Sequence, residues 1–472
     1  MDSHTRSTLI RGGHVLTMDP ALGDLDGGDV LIEDGTIRAV GAALDPPEGA
    51  EIIDAQHAIV SPGFVDTHRH VWQTQLRTIA TNWSLFDYTC RMRFGYSACY
   101  EADDVHLGNL VGALEALHAG ITTIVDHCHI MNSPAHADAA VRGLRESGIG
   151  GVFCYGIFPN PTLPDFTIDF EPGWRLDDAR RVRAEHFADA DALLTMGIAP
   201  TEVTARPFEA VCRELAFARE LGATRISCHV AMGRYDHGDR LVERLADAQQ
   251  LGPDVLLVHG AALTEHELAL VAASGAGISG TPETELQMGM GRPVTFRARD
   301  AGVRTGLGID IVSNYAGDMF AQMRLQLQAE RGFRHEAASG APRSVDVDAR
   351  EVLELATLGG ARVLGLEDRL GSLTPGKRAD LVLTRCDAIN MVPVHDPVGA
   401  LVLNATTHDV DTVLVAGRAV KRHGALVGHE WPALAERLRA SSARITAGFT
   451  NAPLDQMEPL IASAMLGPGK TE

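Results

Sequence analysis

Apolar runs alternate with amphipathic stretches through the middle of the chain. Short strand-and-turn texture occupies both ends, and residue types that bind metals stand at the tips of several runs. Together these predict an α/β fold: a (β/α)8 TIM barrel with a small β-sandwich domain formed by both termini. The expected division is 1–60 and 365–430 for the composite sandwich, 61–364 for the barrel and 431–472 for a C-terminal helix and tail. A length of 472 residues suffices for that arrangement, and 45% hydrophobic content suits a globular protein.

The N-terminal strands read from Thr8 to Leu16 and from Asp29 to Val40, the second broken by an Asp34-Gly35 hairpin signal. Similar texture returns from Gly371 to Leu383 and from Val410 to Arg418. Neither end carries enough apolar residues for a core of its own, so the two are expected to pair. Barrel strands are expected near 61–68, 121–127, 149–157, 193–199, 225–230, 254–259, 275–280 and 303–309. Amphipathic helices fill the gaps, among them Asp104 to Ala119, Pro207 to Leu221 and Asp239 to Leu251, with Leu353 to Leu364 leading back to the β-domain. Beyond Trp431 the pattern reads as one more surface helix and a loose tail.

The most informative stretch is His68-Arg69-His70, which closes the run from Ile59 to Thr67. Side chains alternate along a strand, so both imidazoles leave one face, placed to chelate a divalent cation. Three later runs end comparably: Arg225 to His229, Val255 to His259, and Thr305 to Asp310. In a parallel barrel all carboxyl ends meet at one rim, so four histidines and an aspartate scattered in sequence can converge.

Composition narrows the chemistry. A formal charge of −21 argues against nucleic-acid binding. Met1 to Arg6 lacks the apolar core of a signal peptide and no run reaches membrane-spanning length, so a cytoplasmic, non-membrane protein is expected. The seven cysteines are dispersed without a C-x-x-C pair, which suits reduced thiols. Lys377, Lys421 and Lys470 are the only lysines and all lie beyond Asp310. That excludes a two-metal centre bridged by a modified barrel lysine and favours a single ion.

These residues resemble the amidohydrolase superfamily, within it the chlorohydrolase and deaminase branch that includes triazine hydrolases and guanine deaminases. The resemblance is carried by Pro62 to His70, His229, His259, and Gly306 to Asp310 followed by Ser313-Asn314 and Asp318-Met319-Phe320. Gly371 to Leu381 adds to it, and the similarity spans about residues 8 to 425. It implies one divalent ion, zinc first and iron second, held by His68, His70, His229 and Asp310. It also implies His259 beside the attacking water, and Asp310 as the group that takes the water's proton and returns it to the leaving nitrogen.

Two departures stand out. The branch carries His-x-x-Glu after the fifth strand, whereas this chain has His229-Val230-Ala231-Met232, and a thioether does no acid–base work. After the seventh strand stands Thr281-Pro282-Glu283-Thr284-Glu285 in place of the family's usual loop. Glu283, Glu202, and the His127/His129 pair are the candidates to replace the missing acid, Glu283 first. The loop after the first strand gathers Trp72, Trp83, Phe86, Tyr88, Phe94, Tyr96 and Tyr100, with Gln73, Arg77, Arg91 and Arg93 among them. It reads either as an aromatic pocket wall with groups to bind a carboxylate or phenolate, or as a subunit contact in a homodimer.

The leading expectation is hydrolysis of an amide or amidine C–N bond in a small aromatic molecule. The alternative is a dehydrative cyclase that activates an amide carbonyl to form an imidazoline or benzoxazole-type ring in natural-product biosynthesis. A disused barrel serving as a scaffold is disfavoured by the intact set of His68, His70, His229, His259 and Asp310.

Overall fold

Eight parallel strands form the central sheet of the computed structural model, which describes residues 7–171, 173–202 and 206–466. They are β1 (Phe64–Arg69), β2 (Ile121–Cys128), β3 (Gly150–Gly156), β4 (Leu194–Ala199), β5 (Ile226–Val230), β6 (Val255–His259), β7 (Gly277–Gly280) and β8 (Arg304–Leu307), each paired with its sequence neighbour. The sheet closes between the tips of β1 and β8, where Arg69 bridges Asp310. There the Asp310 N–H donates to the His68 carbonyl at 2.8 Å and the His70 N–H to the Asp310 carbonyl at 2.7 Å.

Valine, isoleucine and leucine recur through the strands, nearly all of whose residues are buried because both faces of a parallel sheet are covered. Val65, Val125, Val152, Ala199 and Val258 share one apolar cluster although they come from strands that are not all neighbours. Such side chains can meet only in the barrel's interior. Helices cover the outside, and their starts follow local capping chemistry: Thr264 and Glu267 form a reciprocal capping box, and Asp318 caps Met319–Ala337.

The terminal segments form one nine-stranded mixed sheet apart from the barrel. Ala58–Pro62 pairs antiparallel with Leu381–Arg385, which joins the N- and C-terminal halves directly. Ile10, Val30 and Ile37 from one half share a core with Leu381, Leu383 and Leu414 from the other. This pairing also explains why β1 starts at Phe64 rather than at the expected 61: Ser61 and Pro62 are already engaged with Val382 and Leu381.

The C-terminus differs from expectation. After Trp431–Phe449 comes a second helix, Leu454–Met465, where a loose tail was expected; residues 467–472 lie outside the described residues. Tyr96 from the loop after β1 stacks on Phe449 with ring centres 3.8 Å apart. The first of these helices is thereby docked over the barrel's upper rim.

Candidate metal centre

Metal-ligand side chains from four strand tips meet at the carboxyl end of the barrel. His68 Nε2 lies 3.3 Å from His229 Nε2 and 3.3 Å from Asp310 Oδ1, and His70 Nε2 lies 3.4 Å from the same Oδ1. Donor atoms of His68, His70 and His229 all fall within 4.8 Å of one another. His259 stacks beside His229 with ring centres 5.5 Å apart. His259 and Asp310 hold left-handed backbone conformations, φ 71° and 69°, which are costly for residues other than glycine and concentrate at functional sites. Gly308 makes the approach possible, since a Cβ there would stand 2.8 Å from Ser279 Oγ and 2.9 Å from the His68 carbonyl.

Neighbouring groups set the tautomers. His70 Nδ1–H donates to the His127 carbonyl at 2.8 Å, and His229 Nδ1–H donates to Glu202 Oε1 at 2.7 Å. Both rings therefore turn a lone pair on Nε2 inward. Bare, the cluster would hold facing imidazole lone pairs beside a carboxylate, with His68 Nδ1 buried and unpartnered among the described residues. That donor set of imidazoles and one carboxylate fits a single divalent cation, and is typical of zinc sites. Burial lowers the His68 pKa to about 4 and holds His70 well below the ordinary value, so both rings are neutral, as ligands must be.

Burial opposes ionisation of Asp310, but the His68 hydrogen bond and the surrounding imidazoles outweigh it and hold the carboxyl well below the usual range. At His259 burial opposes the imidazolium. The Glu285 carboxylate, 3.5 Å from Nδ1, and the other nearby carboxylates reverse that and raise its pKa. Thr281 lies between them, with Oγ1 3.0 Å from His259 Nδ1 and 3.4 Å from Glu285 Oε1.

The candidates for the missing acid separate clearly. Glu283 does not line the cavity above the metal ligands; its carboxylate accepts from Gln322 Nε2 at 2.7 Å, on the far side of its short helix. Glu202 does line it, engaged with His229. His127 is buried against Ser227, and His129 accepts from Trp72 Nε1–H at 3.0 Å while stacking on His70. Sequence reasoning passed over Glu285 as a partner of His259, although it stands in the same short motif as Glu283.

The cavity has a volume of about 650 Å³. Of the aromatic loop, Tyr88 and Phe94 line it, joined by Phe158 and Phe170 from the segment after β3. Trp72 and Tyr100 pack edge-to-face behind it. Met232 stands in its wall, and the helix Leu454–Met465 closes one side through Met457, Ile461 and Met465. Gln73 is consumed by Tyr88 and Ser313, and Arg77 by Glu115.

Comparison with known proteins agrees with this architecture. Residues 59–420 match the profile described as "Amidohydrolase family". The chain is 30% identical over 453 residues to a 5-methylthioadenosine/S-adenosylhomocysteine deaminase of Symbiobacterium thermophilum, covering 93% of this chain and 98% of that one. A 5'-deoxyadenosine deaminase of Methanosarcina barkeri is 29% identical, with 87% and 92% covered. Among solved structures, an adenosine deaminase from Xanthomonas campestris with bound zinc superposes with TM-score 0.80 at 26% identity, over 94% of this chain and 99% of that one. An atrazine chlorohydrolase from Arthrobacter aurescens complexed with zinc shares the fold, with TM-score 0.78 at 24% identity over 92% and 100%. These names are hydrolytic; the dehydrative-cyclase alternative and a natural-product role find no support among them.

Proposed function

The chain belongs to the amidohydrolase family, a hydrolase of C–N bonds, and on that footing we propose that it hydrolyses an amide or amidine bond in a small aromatic molecule. The observation that carries the reading is the convergence of His68, His70, His229 and Asp310 within 3.4 Å contacts at the floor of an aromatic-walled cavity. These four residues would hold one divalent ion, zinc by preference. When bound, such an ion supplies Lewis acidity and makes water nucleophilic at neutral pH.

The chain's own groups do the rest. Asp310 stays ionised, so its free oxygen accepts a proton from the attacking water and returns it to the leaving nitrogen. His259, anchored through Thr281 and Glu285, keeps its Nε2 for the reacting centre and donates to oxygen as charge develops there. Tyr88, Phe94, Phe158 and Phe170 offer flat apolar surface for the substrate body and exclude bulk water. No described helix is long and apolar enough to cross a membrane, and all seven cysteines are free, in keeping with a cytoplasmic enzyme.

The test combines metal analysis with mass spectrometry of products from a panel of aromatic amides and amidines. Stoichiometric zinc and split substrates are expected, whereas products lighter by one water would transfer the reading to a cyclase. Asp310→Asn should lower turnover by about 10²–10⁴-fold with the fold intact. Near-normal turnover in that variant would remove Asp310 from the reaction.

A further inference from the structure

Among the described residues, Arg93 is the one buried cation of the cavity wall that the reaction does not use. It ends the turn Thr89–Arg93 in the loop after β1, is 7% exposed, and lines the cavity together with Glu202 and His229. Its position is locked. Nη1 donates to Asn160 Oδ1 at 2.5 Å, and Asn160 Nδ2 is itself tied to the His129 carbonyl at 2.7 Å and to Asn132 Oδ1 at 2.8 Å. The guanidinium lies over the Phe158 ring, 5.3 Å from its centre. Nη2 is buried and has no hydrogen-bond partner among the described residues.

Other arginines of the same loop are spent. Arg77 pairs with Glu115 at 2.7 Å, and Arg91 faces Asp87 and Glu458 at 3.8 and 3.7 Å. No carboxylate forms an ion pair with Arg93 among the described residues; burial brings its pKa to about 10 against the weaker pull of Tyr88 and Glu202, leaving it charged at neutral pH. A buried guanidinium with an idle donor, on a residue of the cavity wall, is unfavourable until an anion reaches it.

We propose that Arg93 receives a carboxylate carried by the substrate at the end remote from the scissile bond. This rests on the hydrolase reading above and extends it: the substrate is an aromatic amide or amidine acid. A monoanion fits better than a phosphate, since the cavity supplies a single guanidinium while Glu202, Asp239 and Asp310 already line it. Lys377 and Lys421 stand elsewhere, and Lys470 lies outside the described residues. A neutral nucleoside such as the 5'-deoxyadenosine of one relative's name would leave Arg93 unpaired, whereas the S-adenosylhomocysteine of another's carries a carboxylate.

The test compares binding of para-acetamidobenzoate, para-acetamidobenzamide and para-acetamidophenyl phosphate to the metal-loaded wild type by calorimetry, with hydrolysis followed separately. The wild-type comparison needs no variant. The acid should bind about 10–100-fold more tightly than the amide and more tightly than the phosphate. Arg93→Met should erase that preference, and Arg93→Lys should keep part of it. Equal or absent binding of acid and amide overturns the proposal. So does tighter binding of the phosphate, or a preference that survives in Arg93→Met, which would place the carboxylate at the metal. Acid-selective binding without hydrolysis would retain the Arg93 site and count against the amide-hydrolase reading.

Discussion

Glu202 offers a direct probe of how the candidate metal ligands are oriented. Its Oε1 accepts from His229 Nδ1 at 2.7 Å, with the carboxylate 26% exposed and the imidazole 9% exposed. A hydrogen bond to a charged group contributes about 1.5–3 kcal/mol, and partial solvent access trims this to about 1–2 kcal/mol. At 1.4 kcal/mol per factor of ten, Glu202→Gln, which keeps an acceptor but no charge, should weaken zinc binding about 10-fold. Glu202→Ala should approach the 100-fold end of the range seen for partners behind metal ligands. Competition against a chromophoric chelator measures the affinity, and thermal melting of the metal-stripped forms controls for folding. Unchanged zinc affinity in both variants would refute the idea that this carboxylate fixes the His229 tautomer. So would a loss of stability in the stripped protein as large as that in the loaded one.

Two further substitutions test other parts of the structure. Gly308→Ala would place a methyl 2.9 Å from the His68 carbonyl and 3.0 Å from its Cβ; a destabilisation of about 1–3 kcal/mol by denaturant titration and weaker zinc binding are expected. Glu283 tests linkage away from the ligands: burial, then the nearby Asp318, raises its carboxyl to about 7. Between about 4.5 and about 7 the unfolded chain has lost a proton that the folded one keeps, so stability falls as pH rises through that window. Glu283→Gln should remove this slope and be more stable at pH 8 by about 1–3 kcal/mol in denaturant titration, once the Gln322 hydrogen bond is allowed for.

The convergence of His68, His70, His229 and Asp310 was legible in the sequence because a parallel barrel leaves strand ends few directions, and all four stand at such ends. The loop and helix contributions were harder to read. Glu283 and Glu285 are two positions apart on Pro282–Gln287, hence about 200° apart around the helix, and only packing decides which faces His259. Glu202 follows β4 in a segment with no periodicity, so its reach to His229 had no sequence signature. The closing helix did have one: Met457, Ile461, Ala464 and Met465 recur at helical spacing, a pattern that marks an apolar face. The aromatic loop divided, because pocket wall and helix contact draw on the same residue types.

The exchange of glutamate for Met232 bears on which C–N bonds the site can break. Hydrolysing an exocyclic amine from a purine-type ring requires a proton at a ring nitrogen, so that aromaticity is surrendered with the charge neutralised. An acid beside the fifth strand is suited to that task, and here its place in the cavity wall is taken by a thioether. Glu202 is occupied by His229, and Asp239 stands exposed at the mouth. An amide makes a smaller demand: its carbonyl is already polarised, and the proton needed is the one at the leaving nitrogen, which Asp310 can return. The residues therefore pair a relaxed requirement for acid catalysis with an added requirement for an anion at Arg93. On the reading proposed above, a site altered in both respects is better matched to aromatic amide or amidine acids than to a neutral nucleoside such as the 5'-deoxyadenosine of one relative's name.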